Sequence, residues 1–277
     1  MKLRFLGTSA GIATRTRFNT AMLLRSETGL LLIDCGEPVS ASLLRLGIRP
    51  DELTALVLTH LHPDHTGGFV QLIQTLQLTH RQAPLKVFLP REGIDAFRNL
   101  LRVCYLYESI LPFALEMIPI EKETVFEAGP FRIQFFPNEH LSCYRPIAEK
   151  EGYPAPCESF CVRVSADGKS VVFSGDIRQP AELIVPLEMG TDLLVSELVH
   201  FPPSEFAAVP EGLLPEKICF THYKTTPEDA PLGKDDPALK GLRRNLFLPG
   251  MELKQRFDCI SAKKFLNVKK RKAAQNV

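Results

Sequence analysis

The segment HLHPDH at positions 60–65 places three imidazoles and one carboxylate within six consecutive residues. A segment this short forms a single loop, so these side chains are predicted to converge on one point. Imidazole together with carboxylate suits zinc, iron or manganese, whereas calcium and magnesium prefer shells made of oxygen. The apolar run at 55–58 predicts a buried strand before the loop, and the pattern that follows Gly67 and Gly68 predicts a helix after it. The spacing therefore predicts a metal site between a strand and a helix.

Three further residues of the same types lie later in the chain. His140, Asp176 and His222 each come after a short apolar run that is typical of a buried strand. A side chain at the end of such a strand is held rigidly, as a functional group must be. An aspartate directly after a glycine is also typical of a plain turn, so both interpretations of Asp176 stay open from the pattern alone.

The order of these motifs resembles that of a known superfamily. HLHPDH, a later strand-end histidine, the sequence FSGD and a last strand-end histidine resemble the metallo-β-lactamase fold superfamily. FLGTSAG at 5–11 and LLIDCGE at 31–37 resemble more narrowly its ribonuclease Z branch of phosphodiesterases. The resemblance covers roughly 1–257 and implies an α/β (α+β) protein with a four-layer αββα sandwich.

The resemblance also implies a set of metal ligands. Two divalent ions would be bound, with zinc expected and manganese or iron as alternatives. One ion would be held by His60, His62 and His140, and the other by Asp64, His65 and His222. Asp176 would bridge the two ions, and Asp64 would double as general base.

Two carboxylates are candidates for supporting these ligands. A metal-bound histidine usually donates its second ring N–H to a carboxylate or carbonyl. Asp34, in LLIDCGE, and Glu197, after an apolar run, are candidates for this role. Each is also typical of an ordinary turn at the end of a strand.

The proton donor departs from the family pattern. Ribonuclease Z enzymes carry a histidine directly before the glutamate, where this chain has Ser196. His200, four residues further on, is the candidate acid, although a surface histidine before a Pro-Pro turn is the alternative. Tyr223 and Lys224 are competing donors or substrate contacts.

The pattern of apolar residues predicts strands and helices that alternate in a similar way in the two halves of the chain. Strands are predicted at 2–6, 19–26, 30–34, 55–59, 85–89, 115–120, 131–136, 159–165, 170–174, 192–196 and 217–221. Helices are predicted at 38–47, 67–79, 92–108, 179–189 and 237–245. Runs of strands with helices between them favour two sheets with helices outside, in one domain over 1–261.

Charge and spacing limit the substrate. The tail at 262–277 carries six basic residues and no acid, and the chain total is +1, which leaves 1–261 at −5. Such a tail either is a disordered end or binds the phosphates of nucleic acid. Only 35 residues separate His140 from Asp176, too few for the arm that holds tRNA in long members of the family.

The loop at 7–11 is either a plain turn or a site wall from which Arg15 or Arg17 meets an anionic substrate.

These observations predict a dinuclear metal-dependent hydrolase, a phosphodiesterase that acts on a small or short phosphodiester through a metal-activated hydroxide. The alternatives are an ester, lactone or thioester hydrolase on the same metals, a mononuclear iron oxygenase, and an inactive metal- or nucleic-acid-binding module. The apolar runs are shorter than the roughly 18 residues of a membrane helix, and no signal-peptide pattern opens the chain. Seven cysteines without framework spacing fit free thiols in the cytoplasm. We also expect a homodimer.

Overall fold

Every residue of the strand Leu30–Ile33 is buried, because both faces of the sheet that contains it are covered. The computed structural model describes residues 1–14, 17–122, 124–153, 155–222 and 260–261. Leu31 and Ile33 pack in one hydrophobic cluster, whereas Leu30 and Leu32 pack in another. Alternate residues of a strand point to opposite faces, so this single strand contributes to two cores.

The first sheet has six strands in the order in which they occur along the chain. They are β1 (Lys2–Gly7), β2 (Ala21–Arg25), β3 (Leu30–Ile33), β4 (Leu53–Val57), β5 (Leu85–Leu89) and β6 (Leu115–Pro119). The first three pair in antiparallel fashion, and β3 to β6 are parallel. The carboxyl ends of β3, β4 and β5 therefore lie at the same edge.

The second sheet is built from the later strands. They are β7 (Val125–Ala128), β8 (Phe131–Pro137), β9 (Phe160–Ala166), β10 (Lys169–Phe173), β11 (Leu193–Glu197), β12 (Lys217–Thr221) and β13 (Ile260–Ser261), and they neighbour each other in that order. β9 runs antiparallel to β8 and β10, whereas β10, β11 and β12 are parallel. As a result, β8, β10, β11 and β12 all end at one edge of the sheet.

Helices cover the outer faces of both sheets. The α-helices of the described residues are α1 (Val39–Arg45), α2 (Pro63–Thr66), α3 (Phe69–Leu78), α4 (Ile94–Val103), α5 (Arg145–Lys150) and α6 (Ile184–Glu188). Of these, α1, α3, α4 and α6 pack on the sheets. One hydrophobic cluster lies between the sheets, a second joins the first sheet to α1, α3 and α4, and a third lies under α6 on the second sheet. The predicted four-layer αββα sandwich is therefore confirmed.

The predicted elements differ from the structure mainly at their ends. The helix predicted over 92–108 covers only Ile94–Val103, because Tyr105 adopts the left-handed conformation with φ 60° and ends it. The strand Val125–Ala128 and the helix Arg145–Lys150 were not predicted. The helix predicted at 237–245 and the tail at 262–277 lie outside the described residues.

Two expectations from composition are also addressed by the structure. No helix within the described ranges is long and apolar enough to cross a bilayer. Five cysteines, at positions 35, 104, 143, 157 and 161, are free thiols. Cys219 is disulfide-bonded, so the expectation of free thiols is wrong at that position.

Candidate metal centre

The HLHPDH segment follows β4 at the edge of the first sheet. Its first two histidines are in the loop, and Pro63 begins the single turn of α2, which carries Asp64 and His65. Proline is suited to this first helical position because its missing N–H would have no partner in the helix anyway. The loop and the turn together direct all four polar side chains towards the same side, as the sequence predicts.

Three residues reach the same point from the second sheet. His140 follows β8, Asp176 follows β10 and His222 follows β12, all at the edge where these strands end. Gly175 has φ +56°, and a Cβ built on it would lie 2.7 Å from the carbonyl oxygen of Phe160. Only glycine fits this tight turn, which places Asp176 over the site.

Three imidazoles form a first cluster. Nε2 of His60 lies 3.1 Å from Nδ1 of His62, and Nε2 of His140 lies 3.2 Å from that same Nδ1. Oδ2 of Asp176 lies 3.8 Å from His60 Nε2 and 3.6 Å from His140 Nε2. Four potential ligand atoms thus surround one point.

A second cluster lies on the other side of Asp176. Oδ2 of Asp64 is 3.6 Å from Nε2 of His65 and 3.7 Å from Nε2 of His222. The carboxylate of Asp176 faces both rings, with Oδ1 at 3.3 Å from His65 Nε2 and Oδ2 at 3.1 Å from His222 Nε2. Asp176 is therefore shared between the two clusters, as a bridging ligand must be.

The donor atoms fit bound metal ions. Zinc–nitrogen bonds of about 2.0–2.1 Å in a tetrahedron place neighbouring nitrogens about 3.3–3.4 Å apart, close to the separations in the first cluster. Among the described residues, Nε2 of His65 and Oδ1 of Asp176 are buried without a hydrogen-bond partner. A buried polar atom without a partner is costly, and a cation between these two atoms would satisfy both.

Burial keeps the first cluster neutral. It lowers the pKa of His60 well below its usual value, lowers that of His62, and lowers that of His140 to about 4. Neutral imidazole is the form that binds a metal. The lone pairs of these three rings are therefore available at neutral pH.

The second cluster has the opposite electrostatics. Burial lowers the pKa of His65, but the carboxylates of Asp176 and Asp34 outweigh it and raise this pKa well above its usual value. Burial raises the pKa of Asp176, but the imidazoles of His222 and His65 outweigh it and hold this pKa well below its usual value. The carboxylate of Asp176 and the imidazole of His65 therefore stabilise each other's charged form.

Residues behind the rings fix their orientation. Asp34 is fully buried and accepts a 2.7 Å hydrogen bond from Nδ1 of His65, together with bonds from the backbone and hydroxyl of Thr59 at 2.9 and 3.0 Å. Nδ1 of His222 lies 2.7 Å from the hydroxyl of Thr20. The structure thus brings Asp34 to the predicted place; its support of a metal-bound ring stays a prediction. The sequence did not point to Thr20 or Thr59, because a threonine carries no recognisable spacing signal.

Glu197 was predicted to support a metal-bound histidine, but its hydrogen bonds go to other groups. It is buried and accepts backbone N–H bonds from Ile177 at 2.7 Å, Val199 at 3.0 Å and His200 at 3.1 Å. Nδ1 of His200 lies 2.8 Å from its Oε1. Glu197 therefore orients His200 rather than one of the seven predicted ligands.

His200 stands at the rim of the site and not on an outlying surface. Its ring centroid lies 4.5 Å from that of His140, and its Nδ1 lies 3.9 Å from Oδ2 of Asp176. Burial lowers the pKa of His200, but the hydrogen bond and charge of Glu197 outweigh this and raise it. The side chain is 35% exposed, so solvent reaches it.

The remaining predicted residues fall in different places. Oδ2 of Asp64 accepts a 2.7 Å hydrogen bond from the backbone N–H of Gly11, so the loop at 7–11 forms one wall of the site. Arg17 is fully buried, so its side chain is not exposed as a direct contact with substrate requires. Arg15, Tyr223 and Lys224 lie outside the described residues.

The fold and the clusters define a metallo-β-lactamase-fold protein with a candidate two-metal site. Two solved structures share the fold. Human tRNase Z, short form, aligns with a TM-score of 0.63 and 21% identity over 80% of this chain and 93% of that one. The metallo-β-lactamase fold protein YhfI of Bacillus subtilis aligns with a TM-score of 0.61 and 21% identity over 80% of this chain and 85% of that one.

The sequence comparisons place the chain within one family of that fold. The model of the family described as anti-Pycsar protein Apyc1 matches residues 1–240, and the chain belongs to this family. Ribonuclease BN of Escherichia coli O1:K1 is 29% identical over 237 residues, which is 84% of this chain and 72% of that protein. The resemblance to the metallo-β-lactamase superfamily and its ribonuclease Z-like branch is confirmed.

Proposed function

We propose that this protein is a dinuclear metal-dependent hydrolase, a phosphodiesterase that acts on a small or short phosphodiester. The observation that carries the proposal is the pair of donor clusters, both of which lie against the carboxylate of Asp176. Relatives named as a ribonuclease and a tRNase favour a phosphodiester over an acyl substrate. Zinc is the proposed metal, because the clusters combine imidazole with carboxylate; manganese and iron suit the same ligands.

The residues around the metals have distinct tasks. Two bound ions would lower the pKa of a water molecule and neutralise charge on the phosphate oxygens. Asp64 faces the same space, and as its Oδ2 accepts the Gly11 N–H, it is held in position to receive a proton. His200 is held by Glu197 with its Nδ1 engaged, which leaves Nε2 to donate a proton to the leaving group.

The metal proposal is tested by metal analysis and turnover. Purified protein is loaded with zinc, manganese or iron, its metal content is measured, and hydrolysis of bis(p-nitrophenyl) phosphate is compared with a lactone and a thioester panel. Two ions per chain and selective hydrolysis of the diester are expected, and Asp176→Ala should lose both ions most severely. A stoichiometry that stays at one with metal in excess would overturn the dinuclear assignment, and turnover of the acyl panel alone would favour the alternative hydrolase.

The proton donor is tested with two leaving groups. His200→Ala should slow a diester with a poor alkoxide leaving group by roughly 100-fold, but it should barely affect p-nitrophenolate, which leaves without help. Equal, small effects on both substrates would exclude His200 and turn attention to Tyr223 and Lys224.

A small substrate is favoured by what lies between His140 and Asp176. Much of this interval is taken up by α5, β9 and β10, and the 1–261 region carries net negative charge. Short diesters and a whole tRNA are therefore assayed side by side. We propose further that the 262–277 tail is separate from the hydrolase domain and dispensable for small substrates; its deletion should leave the rate on a chromogenic diester unchanged.

We propose that the protein acts as a homodimer in the cytoplasm. Exposed apolar side chains at the end of α4 and beyond it support self-association: Leu100, Val103, Tyr105, Tyr107 and Ile110. Light scattering of the eluted protein tests the dimer, and Val103→Glu should give a monomer. Five free thiols favour a reducing compartment, whereas the disulfide-bonded Cys219 favours an oxidising one, and fractionation of cells decides between them.

A further inference from the structure

A short turn directly after His140 forms part of the rim of the metal centre. Leu141 is buried, and the turn Ser142–Tyr144 follows it. The backbone N–H and the hydroxyl of Ser142 donate to the carbonyl of Glu139 at 3.2 and 2.7 Å, and the N–H of Tyr144 donates to the carbonyl of Leu141 at 3.0 Å. The backbone under Tyr144 is therefore fixed by local hydrogen bonds.

Arg145 ties this turn to its surroundings. Its Nη1 donates to Oε2 of Glu139 at 3.1 Å, and its Nε donates to the carbonyl of Pro156 at 3.2 Å. The N–H of Glu139 in turn donates to Oε1 of Glu182 at 2.8 Å. With both of its sides anchored, the turn holds the backbone of Tyr144 in one place.

Tyr144 combines a contact with the metal centre and exposure to solvent. Its ring meets the ring of His62 edge-on, with centroids 5.6 Å apart and an interplanar angle of 81°. The residue is nevertheless 46% exposed. This edge-on contact leaves much of the aromatic surface open to solvent.

The residues of the site differ in their exposure to solvent. Six of the candidate ligands have side chains no more than 9% exposed: His60, Asp64, His65, His140, Asp176 and His222. His62 is only partly buried, and His200 is 35% exposed. A substrate therefore reaches the clusters past His62 and His200, and Tyr144 stands beside the first of them.

We propose that Tyr144 is a specificity-determining residue that binds a planar aromatic ester group of the substrate. This inference rests on the proposed phosphodiesterase function and adds the class of organic group that the enzyme prefers. A flat ring stacks on tyrosine or meets it edge-on with its quadrupole aligned, whereas a saturated ring of the same size gains only general apolar contact. A phosphoester with its phosphate at the clusters would extend its organic group towards Tyr144.

Calorimetric binding to the metal-loaded protein tests this without turnover. The probes are phenyl phosphate and cyclohexyl phosphate, which match in size and charge but differ in aromaticity. Wild-type protein should bind phenyl phosphate more tightly, and Tyr144→Leu should weaken phenyl phosphate about three- to tenfold while changing cyclohexyl phosphate less than twofold. Tyr144→Phe should retain the preference, because the ring and not the hydroxyl makes the contact.

Two controls separate the proposal from its competitors. The matched variant is Tyr153→Leu. Tyr153 lies in the same segment between β8 and β9 and is 72% exposed, so this variant should leave both affinities unchanged. Metal content of Tyr144→Leu should equal that of wild type; a loss of metal, or equal weakening of both probes, would mean that Tyr144 only supports His62 and would overturn the proposal. Failure of wild-type protein to hydrolyse any diester would refute the phosphodiesterase function, whereas unchanged probe selectivity in an active Tyr144→Leu enzyme would refute this inference alone.

Discussion

Asp34→Asn is expected to weaken metal binding at both clusters, although Asp34 touches no metal position. Its carboxylate accepts the Nδ1–H of His65 directly at 2.7 Å. It also accepts the hydroxyl of Thr59 at 3.0 Å, and that oxygen lies 3.1 Å from Nδ1 of His60. One buried carboxylate therefore supports a ring in each cluster.

The magnitude follows from the hydrogen bonds that change. A hydrogen bond to a charged group contributes about 1.5–3 kcal/mol and a neutral one about 0.5–1.5 kcal/mol, so the isosteric amide loses about 1–1.5 kcal/mol at His65. At 1.4 kcal/mol per tenfold this is roughly a fivefold to tenfold loss of affinity. Asp34→Ala leaves Nδ1 of His65 and the N–H of Thr59 without a partner and should cost about 100-fold, the upper end of such effects.

Competition with a chelator measures the affinity of each ion. The matched control is Asp51→Asn, because Asp51 also accepts two backbone N–H groups, from Gln82 and Ala83 at 2.8 and 2.9 Å, but on the surface. That variant should bind metal as wild type does. If Asp34→Asn binds both ions with unchanged affinity while it remains folded, the carboxylate does not hold the two rings.

Three further predictions concern pH and backbone geometry. Glu197 raises the pKa of His200, so Glu197→Gln should lower it and move the alkaline limb of the pH–rate profile for an alkoxide diester to lower pH. The ion pair with Lys169 lowers the pKa of Asp192; Asp192→Asn should therefore lower the melting temperature above pH 4, and the difference should vanish as pH falls through the depressed folded-state pKa. Gly175→Ala forces a side chain into φ +56° against a carbonyl and should cost about 1–3 kcal/mol in denaturant unfolding, with loss of metal in proportion.

The sequence predicts the fold well where a strand is buried on one or both faces. The runs at 30–34, 55–59 and 217–221 were recognised because covered sheets leave almost every position apolar. Val125–Ala128 was missed because it alternates exposed and partly buried residues at the end of a sheet. The predicted helix extends beyond the end of α4 because no residue type in this segment predicts the left-handed conformation of Tyr105.

The candidate ligands were predictable because their types are rare and their order is fixed by the fold. His200 was harder to assign, since its position depends on how the chain turns after β11, and the hydrogen bonds of Glu197 determine that turn. Tyr144 carried no signal at all. An exposed tyrosine is common, and only the contact with His62 distinguishes this one.

The hydrogen bonds behind the rings set the position of the proton on each ring. The hydroxyl of Thr20 donates its proton to the carbonyl of Ser9 at 3.2 Å, so its oxygen accepts from Nδ1 of His222. An ionised carboxylate only accepts, so Asp34 requires a proton on Nδ1 of His65 and leaves its Nε2 as a lone pair. Because the hydroxyl proton of Thr59 is also directed at Asp34, the Thr59 oxygen accepts from Nδ1 of His60, whose Nε2 then faces the first cluster as a lone pair. A single acceptor buried in the first sheet thereby sets the tautomer of one ring in each cluster.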